Sequence, residues 1–193
     1  MIRLFSFLYR REPPEFPCAL TLFKELQKKF HPESGRCAKC GAGGHLEWHC
    51  SYPRNLVVYE DGKVKDHDVD IDRVICNSCG ATSAVIPDIL VPRKIYSILF
   101  ILAVLRACLL YHWTVARLCV HFGISAATYY AWKKLYLSHK KLDLGVLEKY
   151  IAGNDSHLRD PQRILRCDLL YSFFARFGFS FLEYSKTTKI RGP

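Results

Sequence analysis

Nine cysteines are spread through the 193 residues, and four of them fall into two matching pieces of sequence. The chain reads C-A-K-C-G-A at 37–42 and C-N-S-C-G-A at 76–81, with Cys40 and Cys76 standing 36 positions apart. Two residues between cysteines let both thiolates reach one ion at about 2.3 Å, while amides of the turn hydrogen-bond to the sulfurs. Gly41 and Gly80 supply the turn conformation that side chains resist. Four thiolates close a tetrahedron and leave no open position for water. Cys37, Cys40, Cys76 and Cys79 therefore predict one structural Zn2+ and no catalysis. A redox dithiol is the weaker alternative, because it leaves one of two matching knuckles unexplained. His45, His49 and Cys50 lie between the knuckles and offer substitute ligands. The segment 45–50 reads better as a first strand with its polar groups exposed. An odd number of cysteines, several of them in apolar helical patterns, argues against a secreted disulfide framework.

Carboxylates offer the second chemistry. Asp66, Asp68, Asp70 and Asp72 alternate with His67, Val69 and Ile71, so they share one face of a strand. A metal-dependent nuclease would need paired carboxylates, but one regular strand spaces them too widely to chelate two ions. They read instead as a solvated edge or a surface for a protein partner. No Ser/His/Asp set, no phosphate loop and no histidine pair flanking a nucleophile is present, so an enzyme is not expected.

The elements that would carry a nucleic-acid function lie further along. Over 115–134 the chain reads VARLCVHFGISAATYYAWKK, a helix, a glycine turn and a second helix. Leu118, Cys119 and Phe122 face one way from the first helix, Gly123 turns the backbone, and Ile124 plugs the corner. Ser125 caps a second helix whose inward face is Tyr129 and Trp132. Ser125, Ala126, Ala127, Thr128, Tyr130, Lys133 and Lys134 are then the candidate DNA-binding set, with Thr128, Tyr130 and Lys134 foremost. Small residues let a helix approach base edges, and lysines reach phosphates. The plainer alternative is a helical hairpin with a solvated face.

Charge favours the first reading. The chain carries +10 overall, yet 37–92 holds five basic and eight acidic residues, while 93–140 holds seven basic and none acidic. A carboxylate-free stretch suits phosphates, whereas a ribbon with an acidic strand is a poor duplex binder. Double-stranded DNA is thus expected at the helices, and a protein partner at the acidic ribbon; a homodimer is compatible with both.

Other segments supply the frame. Residues 18–30 predict an amphipathic helix with Ala19, Leu22, Phe23, Leu26 and Phe30 inward, and LFSFLY at 4–9 a short strand. Residues 57–60, a turn at Asp61-Gly62 and 64–75 predict a hairpin. Residues 95–110 predict a core support helix: too short for a membrane span and interrupted by Arg106. Thr114 is the expected cap of the next helix. A short helix over 142–151, a loop over 152–162, a helix over 164–177 and a fraying tail complete the chain. Phe173, Phe174, Phe177, Phe179 and Phe181 are expected in a core rather than on a base-stacking platform. The start, MIRLFSFLYRREPP, lacks a signal-peptide pattern, which predicts a reducing cytoplasmic setting, nucleoid-associated through the expected DNA partner. The expected fold class is α+β, a small β zinc ribbon followed by a mainly α helix-turn-helix domain. Its divisions are 1–36 (N-terminal segment), 37–92 (ribbon), 93–140 (helix-turn-helix) and 141–193 (C-terminal helical segment).

C-A-K-C-G, R-V-I-C-N-S-C-G-A-T, I-P-D and the closing G-I-S-A-A-T-Y-Y-A-W-K-K together resemble the N-terminal DNA-binding modules of bacterial insertion-sequence transposases. They are also similar to uncharacterised mobile-element-associated bacterial proteins, over about residues 37–137. The resemblance implies recognition of terminal inverted repeats or another specific site, with 125–134 as recognition helix and the four cysteines as zinc ligands. About 50 residues after 140 are too few for a nuclease-fold catalytic domain. The expectation is therefore an accessory factor or transcriptional regulator, with a protein-interaction adaptor or the DNA-binding fragment of a transposase or nuclease as alternatives.

Overall fold

The structure, a computed structural model, describes residues 1–6, 18–147, 161 and 169–184. Its architecture is α+β, with one four-stranded sheet and, among the described residues, five α-helices. The chain divides into two compact units, Met1–Phe100 and Ile101–Pro193.

In the first unit, strands β1 (Ile2–Leu4), β2 (Leu46–Glu60), β3 (Lys63–Cys76) and β4 (Thr82–Pro87) lie in the order β1-β4-β3-β2. The long β2–β3 hairpin turns at Asp61 and Gly62, both at positive φ (53° and 74°), as a two-residue hairpin turn requires. The two expected pieces, 45–50 and 57–60, are one strand. Pro53 does not interrupt it because β2 is an outer strand, where a missing N–H can face away from the ladder. A bulge between Trp48 and Cys50 falls on β2 alone. Alternation along β3 is unbroken, so Asp66, Asp68, Asp70, Asp72, Val74 and Cys76 share a face that runs from water into the core. That core holds Cys37, Leu46, Val74, Cys76 and Val85, with Ile2, Leu4, Phe30 and Cys79 packed against it.

β1 is parallel to β4, Ile2 opposite Val85. The Ser6 amide and hydroxyl both donate to Asp88 Oδ2, at 3.0 and 2.8 Å, and hold the strand in place. The N-terminal strand thus lies two residues earlier than the expected LFSFLY, and residues 7–17 lie outside the described chain. Helix α1 (Ala19–Lys29) starts at Cys18, whose sulfur accepts from the Thr21 amide, and buries Ala19, Leu22 and Phe23. Gln27 Nε2 donates to the Asp70 carbonyl and to Asp72 Oδ2, at 2.7 and 3.1 Å.

Helix α2 (Ile98–Leu109) begins three residues later than expected. Ser97 Oγ accepts from the Phe100 amide and caps it, while the backbone on either side of Tyr96 bonds to Val57 of β2. Among the described residues no helix is long and apolar enough to cross a membrane.

In the second unit, α3 (Val115–Phe122) is capped by Thr114 and ends at Gly123, whose φ of 63° and ψ of 32° are left-handed. Ile124 is buried at the corner, and α4 (Ala126–Leu147) follows. Tyr129, Trp132 and Tyr136 form its inward face, and the Tyr129 hydroxyl donates to Cys108 Sγ at 2.8 Å. Helix α5 (Leu169–Phe177) and the turn after it bring Phe173, Phe179 and Phe181 around His139, with ring centroids 5.1, 5.4 and 5.7 Å away. Phe173 and Phe181 are fully buried. This cluster explains why α4 runs past 139: Tyr136 and His139 are core residues of the next turns, not the end of a surface helix. The short helix expected at 142–151 is continuous with α4 as far as 147. The loop at 152–162, apart from residue 161, the start of the helix at 164–177 and the tail from 185 lie outside the described residues.

Candidate metal centre and candidate nucleic-acid interface

The two cysteine knuckles have the same backbone. In the first, the Cys37 amide donates to the Ala42 carbonyl and the Gly41 amide to the Cys37 carbonyl, both at 2.9 Å. In the second, Cys76 donates to Ala81 at 3.0 Å and Gly80 to Cys76 at 2.8 Å. Gly41 and Gly80 sit at φ +77° and +66° with nothing within 4 Å of an added Cβ, so backbone conformation alone requires glycine there. The Asn77 amide donates to the His45 carbonyl at 2.8 Å and ties one loop to the other.

The four sulfurs lie within 4.8 Å of one another, close enough to hold one metal ion. Cys37 Sγ is 3.7 Å from Cys79 Sγ, and Cys40 Sγ is 3.8 Å from Cys76 Sγ. A tetrahedron with bonds of about 2.3 Å has sulfur–sulfur edges of about 3.8 Å, so the set fits a thiolate-bound ion of that size. Amides of Cys40 and Lys39 aimed at Cys37 lower its pKa to about 6. At Cys79 the Ala81 amide favours the thiolate, but burial and the neighbouring thiols outweigh it and lift the pKa to about 11. Four thiolates this close repel, and a divalent cation is what lets them ionise together.

His45, His49 and Cys50 are exposed and stand apart from this cluster. Among the described residues, no other group of histidines, cysteines and carboxylates has the spacing for a metal. Asp66, Asp68 and Asp70 are exposed on β3, and Asp72 is half-buried, its pKa raised by burial and then by Asp70.

On α4 the candidate DNA-binding residues separate into two groups. Ser125 Oγ accepts from the Thr128 amide at 3.1 Å and lies 2.9 Å from Thr128 Oγ1, so both hydroxyls are engaged in the helix cap. Ala126, Ala127, Tyr130 and Lys134 are exposed, Tyr130 by 55 %, and Ala131 is exposed with them. Lys133 is half-buried with its ammonium 5.9 Å from the Tyr129 ring centroid. Tyr130, Lys133, Lys134, Leu137 and Ser138 line a shallow groove of about 460 Å³. Leu137 and Ser138 were not in the expected set. They follow from helical periodicity once α4 is known to continue, since 130, 134, 137 and 138 share a side.

Over residues 37–118, from the first cysteine ligand candidate into α3, the chain is similar to a family described as a domain of unknown function (DUF6431). No curated protein and no solved structure matches it.

Proposed function

We propose that the protein is a zinc-containing, sequence-specific DNA-binding protein without catalysis, acting as a mobile-element accessory factor or a transcriptional regulator. The observation that carries this reading is an exposed, basic helix following a tight left-handed turn. Helices α3 and α4 join through Gly123, and α4 presents Ala126, Ala127, Tyr130, Ala131 and Lys134 outward. They lie in a stretch, 93–140, that has seven basic residues and no carboxylate. In a helix-turn-helix the second helix enters the major groove through its N-terminal residues, and the first crosses the backbone. The resemblance to transposase DNA-binding modules supports the same role.

Zinc is the ion the four thiolates favour, and a closed thiolate set gives it a structural role. It would hold the two knuckles and the end of β3 together. Selection of duplexes from a random library by the zinc-loaded chain tests the reading, followed by gel shifts at two salt concentrations. Enrichment of a common motif that binds above ~100 mM salt supports it; absence of any duplex binding there removes it.

One observation favours a second reading, a protein-interaction adaptor. Asp66, Asp68 and Asp70 are exposed on one face of β3, and a tetrathiolate zinc adds a further −2 nearby. A basic protein partner suits that face, and a pull-down with and without duplex DNA separates the two readings.

A further inference from the structure

We infer that Arg117, held over the Trp113 ring, is a preformed clamp for a DNA phosphodiester; the inference rests on the DNA-binding reading and adds a site that the candidate set on α4 does not include. The Arg117 guanidinium carbon lies 3.9 Å from the Trp113 ring centroid, which is stacking distance. The indole is itself fixed. Its backbone amide donates to the Ala107 carbonyl at 3.1 Å, and the His121 ring meets it edge-on at 5.0 Å and 89°. Arg117 is exposed, and its own amide is taken by Thr114 Oγ1 at 3.3 Å.

The indole therefore covers the guanidinium on one side, while its N–H groups, which lie in the guanidinium's own plane, can fork onto two phosphate oxygens. Stacking removes much of the rotamer freedom that an exposed arginine would lose on binding. Among the described residues no carboxylate forms an ion pair with Arg117, and the surrounding stretch 93–140 has none in its sequence. Arg117 sits in the first turn of α3, the helix that crosses the DNA backbone in a helix-turn-helix. A phosphate there carries no sequence information; it fixes the register in which α4 meets the bases.

The test is fluorescence anisotropy of the full zinc-loaded chain with a mixed-sequence duplex of about 30 base pairs, over about 50–200 mM salt. Arg117→Ala is expected to reduce the slope of log affinity against log salt by about 1 and to weaken binding about tenfold at the low-salt end. Arg117→Lys keeps the charge and thus the slope, but loses affinity several-fold because ammonium neither stacks nor forks. Circular dichroism of each variant confirms that the fold is retained. A wild-type slope in Arg117→Ala overturns the clamp while leaving DNA binding in place, as does Arg117→Lys indistinguishable from wild type in affinity. Absence of duplex binding by the wild type at 50 mM salt overturns the DNA-binding reading and the clamp with it.

Discussion

Cys37 Sγ lies 3.7 Å from Cys79 Sγ, the first thiol of one knuckle against the second thiol of the other. The Cys40–Cys76 pair at 3.8 Å completes the exchange, so the thiols of the two knuckles close around one shared centre. Removing the metal should accordingly unfasten two distant segments at once. Purified protein is expected to carry one zinc per chain by elemental analysis. Chelation, or Cys76→Ser, should lower the melting temperature of the sheet unit steeply, since structural zinc contributes on the order of 10 kcal/mol in small domains. A chelated protein that melts unchanged would remove the structural role.

Gly41 and Gly80 make a finer test of the same centre. An added Cβ at either position meets nothing within 4 Å, so alanine there costs only the left-handed backbone, about 1–2 kcal/mol. Gly41→Ala and Gly80→Ala should fold, bind one metal and release it to a competing chelator faster than the wild type. Equal effects are expected from the two, because the knuckles have matching hydrogen bonds.

His139 predicts a pH dependence of the helical unit. Burial among Phe173, Phe179 and Phe181 lowers its pKa from 6.5 to about 4, and its Nδ1 accepts from the Leu182 amide at 3.1 Å. The unfolded chain binds a proton below about 6.5 that the folded chain refuses until about 4, so stability falls as pH drops through that window. The loss reaches about 3 kcal/mol at most. Denaturant unfolding followed by tryptophan fluorescence at pH 7 and pH 5 measures it. His139→Phe should flatten the dependence while lowering stability at pH 7, since the Leu182 amide loses its acceptor.

The outward surface of α4 predicts what the bases must offer. Ala126, Ala127 and Ala131 present methyl groups, and the exposed positions over 126–134 include no arginine, asparagine or glutamine to fork onto purines. Those methyl groups suit contact with thymine methyls, beside the polar ends of Tyr130 and Lys134. Replacing thymine by deoxyuridine in a selected duplex should weaken binding about fourfold per contacted methyl, taking about 0.8 kcal/mol for each. Ser125→Ala should instead cost about 1 kcal/mol of helix stability with little change in sequence preference, because the hydroxyl serves the cap. A changed motif for Ser125→Ala would return that residue to the base-contact set.

The features legible in the sequence are those whose causes are local. Ligand spacing places both knuckles, Asp61-Gly62 demands its hairpin turn, and Thr114, Gly123 and Ser125 punctuate the helices by capping chemistry. What the sequence concealed depends on distant partners. Ile2 finds Val85 across more than eighty positions, and nothing in Ile2–Leu4 alone announces that pairing. Helix α4 continues because Tyr136 and His139 are covered by residues 173–182, which no window around 139 contains. Pro53 looks like a break until β2 proves to be an outer strand.

Cys76 is at once a ligand candidate and the last residue of β3, on the same face as Asp66–Asp72. A slip of one residue along the hairpin would carry its sulfur about 3.3 Å away, farther than a metal–sulfur bond of about 2.3 Å tolerates, and would turn the carboxylates inward. An ion bound there would therefore act as a gauge for the whole ladder. Strand registration and metal loading would then be linked, each favouring the other.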